Sequence, residues 1–302
     1  MKPLFIHRKG EVFLGRDGIT VETLPAEFQK LFPEISPKYI DPLSLLAGIA
    51  AGGVLNSAAP QEITERGRDF AVIVGSAFGA IDSTIDFDSQ ALSKGPNAVN
   101  PMDFPNTVAN AAGSRIGIWL QLKGPNVTLT NGGTSFIDAI GFAFEGTNDG
   151  LIKRCLVGSA EKVPGFLKPF SNQGDPSPDF SEGACFLLAS GEEEANSLFR
   201  VEDYFGIQLK PDFSFPAVFH ERFQKFWEGV EWLGCPEETP TGLSIPKNLV
   251  RVAPHSRVLE LGLGGFESLN AFLSAPQSCG VVAAGSKNER KYSFIKLKKG
   301  RG

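Results

Sequence analysis

Five consecutive apolar residues, Phe70-Ala71-Val72-Ile73-Val74, closed by Gly75-Ser76-Ala77-Phe78-Gly79, constrain this chain most. A run with no polar alternation suits a strand buried on both faces, so other elements must cover its sheet from either side. Cys155-Leu156-Val157-Gly158 and Ala184-Cys185-Phe186-Leu187-Leu188 read the same way. Helical stretches lie between. Asp41-Pro42 reads as an N-cap and N1 proline opening an apolar helix from Leu43 to about Leu55. Thr107 to Leu122 is Ala-rich and helical in pattern, stopped by Gly124-Pro125. Val127-Thr128-Leu129-Thr130 is the next strand and Asn131-Gly132-Gly133 a turn. A helix follows from about Thr134 to Glu145, with Phe136, Ile137, Ile140 and Phe144 at helical spacing. Alternating buried strands and helices imply a layered α/β architecture.

The flanking regions are less regular. Leu4 to His7 and Val12 to Leu14 read as short strands joined by a turn at Lys9-Gly10, and Ser293 to Lys298 as a terminal strand. Pro164 to Pro178 is rich in Pro, Gly, Ser and Asn and reads as a long loop. Phe223 to Trp232 reads as an aromatic helix and Ser268 to Ser274 as a second short one. No repeat of 20–50 residues and no low-complexity tract is visible.

Composition removes several classes. The 302 residues are 42% hydrophobic and 21% charged, a globular balance, and the net charge of −5 argues against a dedicated nucleic-acid binder. The longest apolar stretch, Leu45 to Leu55, is interrupted by Gly48, Gly52 and Gly53, so no membrane span is expected. The opening MKPLFIHRKGEVF has no apolar h-region, which makes a cytoplasmic location the expectation. Cys155, Cys185, Cys235 and Cys279 are scattered, without a CxxC pair or a histidine at ligand spacing; no metal and no cofactor is expected. Gly262-Leu263-Gly264-Gly265 lacks the third glycine of a dinucleotide fingerprint and reads as a turn or tight contact. His7, His220 and His255 have no triad partner nearby in sequence and read as surface or packing residues.

One stretch is specific. In order come NP-x-x-FPNTVANAA from Asn100 to Ala112, LKGPN-x-T from Leu122 to Thr128, an elbow ending in Asp138-Ala139-Ile140, and LVGSAE from Leu156 to Glu161. With FAVIVGSAFG upstream and EGACFLL from Glu182 to Leu188 downstream, residues 41 to 190 resemble the β-ketoacyl synthases, the condensing enzymes of fatty-acid and polyketide assembly. The resemblance implies a thiolase-like layered αβαβα fold, here shortened in its C-terminal half. Residues 1–192 would be the ketosynthase-like half and 193–302 the truncated one. It also implies a dimer through the strand 127–130.

The family's nucleophile is a cysteine at the elbow. Counting back from Asp138, that position holds Gly133, which has no side chain; glycine there would relieve elbow strain. Of the family's two histidines, one has no counterpart after residue 200 and the other aligns with Leu263. Thr134, Ser135 and Phe136 flank the elbow, and Gly285 and Ser286 lie in a stretch resembling a degraded glycine-rich loop; these five are the expected substrate-binding positions. The two hydroxyls have no base at hand and also read as helix N-caps. Cys155 reads as buried and inert, and Glu161 as a structural hydrogen-bonding carboxylate.

The chain therefore reads as a ketosynthase homologue without independent condensing activity, a chain-length-factor-like partner of an active ketosynthase. Two alternatives stand beside it: residual carrier-dependent decarboxylation or acyl transfer, and a homodimeric acyl-binding or scaffold protein. The basic tail, with Lys296, Lys298 and Lys299, would dock an acidic acyl carrier protein, or else would protect a solvated edge strand. The 25 Phe would line an acyl tunnel or simply fill a core.

Overall fold

The computed structural model describes residues 1–55, 67–167, 182–209, 220–234, 250–252, 265–286 and 291–299. Its helices are α1 (Leu24–Leu31), α2 (Pro42–Leu55), α3 (Ile81–Lys94), α4 (Ala111–Trp119), α5 (Ser135–Asn148), α6 (His220–Phe226) and α7 (Phe266–Ser274). Its strands are β1 (Leu4–Phe13), β2 (Phe70–Gly75), β3 (Asn126–Leu129), β4 (Arg154–Glu161) and β5 (Gly183–Ser190). They continue as β6 (Phe199–Gln208), β7 (Trp232–Gly234), β8 (Val250–Val252), β9 (Cys279–Ser286) and β10 (Lys291–Lys299).

Sheet order is β3-β2-β4-β5-β1-β6-β10-β9-β7-β8. Read outward from the antiparallel β1–β6 pair, both sides run in one pattern of sequence order, first, fifth, fourth, second, third. Pairing directions repeat as well: the second strand is parallel to the third and fourth, and the fifth is antiparallel to its neighbours. The two five-strand sets are structural repeats that no local sequence period announces.

Side-chain alternation makes the layers. On β2, Phe70, Val72 and Val74 face one way, into a core with α1, α2 and α4, while Ala71 and Ile73 face the other, into a core with α5 and α7. The second set divides likewise: Val282 and Ala284 join the α5–α7 core, and Val281 and Ala283 meet α6. Helix, sheet, helix, sheet, helix is the resulting stack, the five-layered αβαβα arrangement expected. The 70–74 run is buried on both faces because both faces are covered. Nine of the twelve largest fully buried side chains among the described residues are Phe in this stack, such as Phe136, Phe144, Phe186 and Phe272, so the aromatic excess is chiefly core.

Several local expectations hold with shifted ends. Asp41 caps α2, its Oδ1 accepting from the Ser44 N–H at 2.9 Å, and its Oδ2 takes Arg115 Nη1 of α4 at 2.7 Å. The helix expected over 107–122 narrows to α4, because residues 101–106, with two prolines, form a 3-10 turn before it. The expected turn at Lys9-Gly10 is absent: β1 runs straight through, with a bulge between Ile6 and Arg8. Gly10 serves close packing instead, since a Cβ there would lie 2.4 Å from the Ala50 carbonyl oxygen of α2. The aromatic helix over 223–232 ends at Phe226; Gly229 turns the chain at φ +71°, and Trp232 begins β7. The strand at the basic tail is no edge: β10 lies between β6 and β9. Most of the 164–178 stretch, together with Cys235, His255 and Leu263, lies outside the described residues.

Candidate functional site

The parallel strands β2, β3 and β4 carry the elbow. After β3, the backbone turns through Asn131-Gly132-Gly133-Thr134, a short 3-10 segment over 132–134, straight into α5. Ser76 O, at the end of β2, accepts from Ser135 Oγ at 3.0 Å, which seats the helix start against the neighbouring strand. No Cβ fits at Gly75, where it would lie 2.4 Å from the Ser135 carbonyl oxygen. From the second half, β9 and β10 close over the turn.

Left-handed backbone belongs to Gly132, at φ +61°, one residue before the position reached by counting. Strain relief therefore lies at Gly132 and not at Gly133. Neither carries a side chain, so the turn presents no nucleophile at the start of α5. Thr134 and Ser135 do not replace one. Both are fully buried; Thr134 Oγ1 donates to Asn131 O or Asp138 Oδ2, at 3.0 and 2.8 Å, and Ser135 Oγ also lies 2.7 Å from Gly132 O. Neither hydroxyl caps a helix N–H in the expected sense, since each is spent on the turn's own carbonyls and on Asp138. Phe136 faces the core against Phe266, with ring centroids 5.9 Å apart, and not a substrate. Gly285 lies one residue before the end of β9, where a Cβ would meet the Lys291 carbonyl oxygen of β10 at 2.4 Å, so close approach of the paired strands explains it. Ser286 is the last residue of β9.

Below the elbow lies a polar knot that sequence reading did not single out. Asp138 of α5 accepts from Asn131 Nδ2 (2.8 Å), Tyr204 OH (2.9 Å), Lys291 Nζ (2.9 Å) and Ser293 Oγ (2.5 Å), as well as Thr134. Burial by itself would raise its carboxyl. Hydrogen bonds from Ser293 and Lys291, the Lys291 charge and the Thr134 hydroxyl outweigh that and hold it below the usual carboxylate range. Burial, together with that carboxylate, pushes the Tyr204 phenol well up, so it stays a donor. A cavity of about 440 Å³ opens beside the knot, walled in part by Leu129, Phe142, Arg222 and Lys291.

Glu161, at the end of β4, is fully buried and receives the Ala77 N–H at 2.5 Å, with Ser76 Oγ at 3.3 Å and the Phe78 N–H at 3.4 Å. It fixes the loop after β2, the hydrogen-bonding role expected of it. Cys155 and Cys185 point into the layers; burial pushes the Cys155 thiol up to about 12 and raises Cys185 as well, leaving both inert. Of the basic tail, Lys296 Nζ donates to Glu228 O at 2.5 Å and Lys299 Nζ to Ala275 O, with Lys299 lying 5.3 Å from the Phe272 ring centre. Lys298 is exposed. Two of the three expected docking lysines thus tie down neighbouring loops. Among the described residues no group of three or more His, Cys, Asp or Glu is placed to hold a metal, and no helix is long and apolar enough to cross a membrane.

Comparison with known proteins agrees with this architecture. The sequence model of the Beta-ketoacyl synthase, N-terminal domain, matches residues 15–179, more than half of the chain. A 3-oxoacyl-[acyl-carrier-protein] synthase 2 from Vibrio harveyi is 32% identical over 117 residues, 38% of this chain and 28% of that protein. Its counterpart from Synechocystis sp. is 30% identical over 106 residues, 35% of this chain and 25% of that protein. The similarity thus reaches about a quarter of the length of these curated relatives. Among solved structures, the AntDE:AntF complex, a type II PKS acyl-carrier protein with its ketosynthase, superposes with a TM-score of 0.77 at 14% identity, covering 99% of both chains. The ishigamide ketosynthase/chain length factor gives 0.72 at 20% identity, covering 98% of this chain and 99% of that one. At such identities the superpositions speak for the fold, and the sequence match speaks for descent: the chain belongs to the β-ketoacyl synthase family and carries its thiolase-like fold.

Proposed function

We propose that this chain is a condensing-enzyme homologue that does not condense, and that it acts as a chain-length-factor-like partner of an intact ketosynthase in fatty-acid or polyketide-type assembly. One observation carries the reading: the turn from Asn131 to Ser135 offers no thiol, and both of its hydroxyls are buried and committed to acceptors within the elbow. Claisen condensation by a covalent acyl-enzyme needs a nucleophile at this point. The reading includes Leu263 at one family histidine position and a two-half division at 192/193, which the repeated strand order supports.

A partner would add to β3. This strand ends the sheet with no strand on its outer side among the described residues, and the exposed Ile118 and Phe142 sit on the two helices packed against it, α4 and α5. An unpaired strand flanked by apolar side chains favours strand-to-strand association. Carrier-protein docking at the tail rests on Lys298, since Lys296 and Lys299 hold carbonyls.

Co-expression of this protein with the ketosynthase encoded nearest to it tests the reading. A stable mixed dimer whose product length depends on this subunit is the expected result. A homodimer that ignores the ketosynthase, or condensation by the purified chain alone, would sink it.

A further inference from the structure

A second site lies at the far end of α5, about 20 Å from the elbow by the rise of a 14-residue helix. His7 sits at the β1 bulge, and a bulge re-aims the side chain it carries. The ring is buried and lies between two serines that sequence separates from it widely. Nε2 is 2.8 Å from Ser190 Oγ, and Nδ1 is 3.0 Å from Ser197 Oγ. Ser190 ends β5 and forms part of the wall of a cavity of about 470 Å³, with Phe70, Thr147, Ile152, Arg154 and Gly191.

Each serine hydroxyl has a carbonyl oxygen as a second partner, and Ser190 Oγ lies 2.9 Å from the Glu192 carbonyl oxygen as well as 2.8 Å from His7 Nε2. Ser197 Oγ has one proton, and the Glu194 carbonyl oxygen takes it at 2.9 Å. In the tautomer with the ring proton on Nδ1, Ser197 accepts from Nδ1–H and the lone pair on Nε2 faces the Ser190 hydroxyl. The Glu192 N–H donates to Ser190 Oγ at 3.2 Å and would steady negative charge as it develops there. Two residues of the same wall hold buried polar atoms with no hydrogen-bond partner among the described residues, Thr147 Oγ1 and Arg154 Nε, a reserve of donors for a ligand oxygen. Nucleophile, base and orienting group thus stand at the spacings that nucleophilic catalysis requires.

We propose that Ser190 is a histidine-activated hydroxyl that accepts a short acyl group from an activated ester or thioester entering this cavity. Ser190 Oγ bonds to the acyl carbonyl carbon while its proton passes to His7 Nε2. The bond from that carbon to the leaving oxygen or sulfur then breaks, and the imidazolium returns its proton to the departing group. Water deacylates the serine by the same steps in reverse order. Burial lowers the His7 pKa; the Glu194 carboxylate opposes that, and Arg154 and Arg8 add to it, so the ring is neutral and able to act as a base near pH 7. This site is independent of the elbow and of the reading drawn from it.

The probe is p-nitrophenyl acetate with the purified full-length chain. Expected are a burst of p-nitrophenolate, a mass gain of one acetyl group, and peptide mapping of that group to Ser190. Ser190→Ala should abolish the adduct, and His7→Gln should slow its formation by about a hundredfold. Ser197→Ala, at a positioning residue, should shift the midpoint of the acylation pH profile while leaving Ser190 acylable. Should His7→Gln fail to fold, Ser190→Ala and the wild-type pH profile decide: a rate rising with pH through a single ionisation below 6.5, the ordinary histidine value, supports the proposal. Acetyl found only on lysines or cysteines, or the same rate in Ser190→Ala, overturns it.

Discussion

Lys291 Nζ lies 2.9 Å from Asp138 Oδ2, a contact between residues 153 positions apart that ties the helix after the elbow to the last strand of the sheet. Asp138 is 6% exposed and gathers five donors, so the carboxylate, and not the more open lysine, is the costly group to disturb. Asp138→Asn should lower unfolding free energy by about 2–3 kcal/mol, and Lys291→Met by less. Urea denaturation of both variants checks the order.

The same carboxylate gives a pH signature. Its folded pKa is depressed, so its contribution is present above the unfolded value, about 3.9, and fades as pH falls through the folded one. Wild-type thermal stability should drop below about pH 4, with part of that drop missing in Asp138→Asn.

His7 provides a second linkage at a milder pH. With the folded pKa lowered, protonation favours the unfolded chain, so its contribution is present above 6.5 and lost as pH falls through the folded value. Melting temperature should begin to decline below pH 6.5 in the wild type, and His7→Gln should flatten that limb of the curve.

Gly158 packs β4 against β5 so closely that a Cβ would lie 2.1 Å from the Cys185 carbonyl oxygen. Backbone on both strands would have to part. Gly158→Val should cost roughly 3 kcal/mol, the upper end of ordinary overpacking, and show as a lowered denaturation midpoint with an unchanged m-value.

Gly133→Cys tests the elbow directly. A thiol at the start of α5 should be alkylated by iodoacetamide much faster than the buried Cys155 and Cys185, because a helix N-terminus favours thiolate. Condensation should stay absent even so. Activity restored by this one substitution would refute the proposal that the chain also lacks counterparts of the family's two histidines.

Much of the frame was legible because local signals and burial agree. Phe70 to Val74 is apolar throughout and buried throughout; Asp41-Pro42 opens a helix and caps it. Where legibility failed, partners lie far apart in the chain. Gly10 looked like a turn because nothing near it in sequence reveals that α2 leans on its α-carbon. β6 was missed since Arg200, Glu202 and Asp203 break its apolar run, although the strand is paired on both sides. His7 had no neighbour worth naming until the fold brought in Ser190 and Ser197. The order of the strands, likewise, is a property of pairing that no window of sequence contains.

That order commits the two sets of strands to one core. The second set of strands spans only Phe199 to Lys299, where the first spans Leu4 to Ser190, yet all five are present. α5 and α7 are roofed by one set and floored by the other, so losing either sheet would strand Phe136, Phe144, Phe266 and Phe272 in water. The antiparallel β1–β6 pair joins the two sets across the middle of the strand order. The strands of both sets therefore stand or fall with one shared core, whatever changes in the segments outside it.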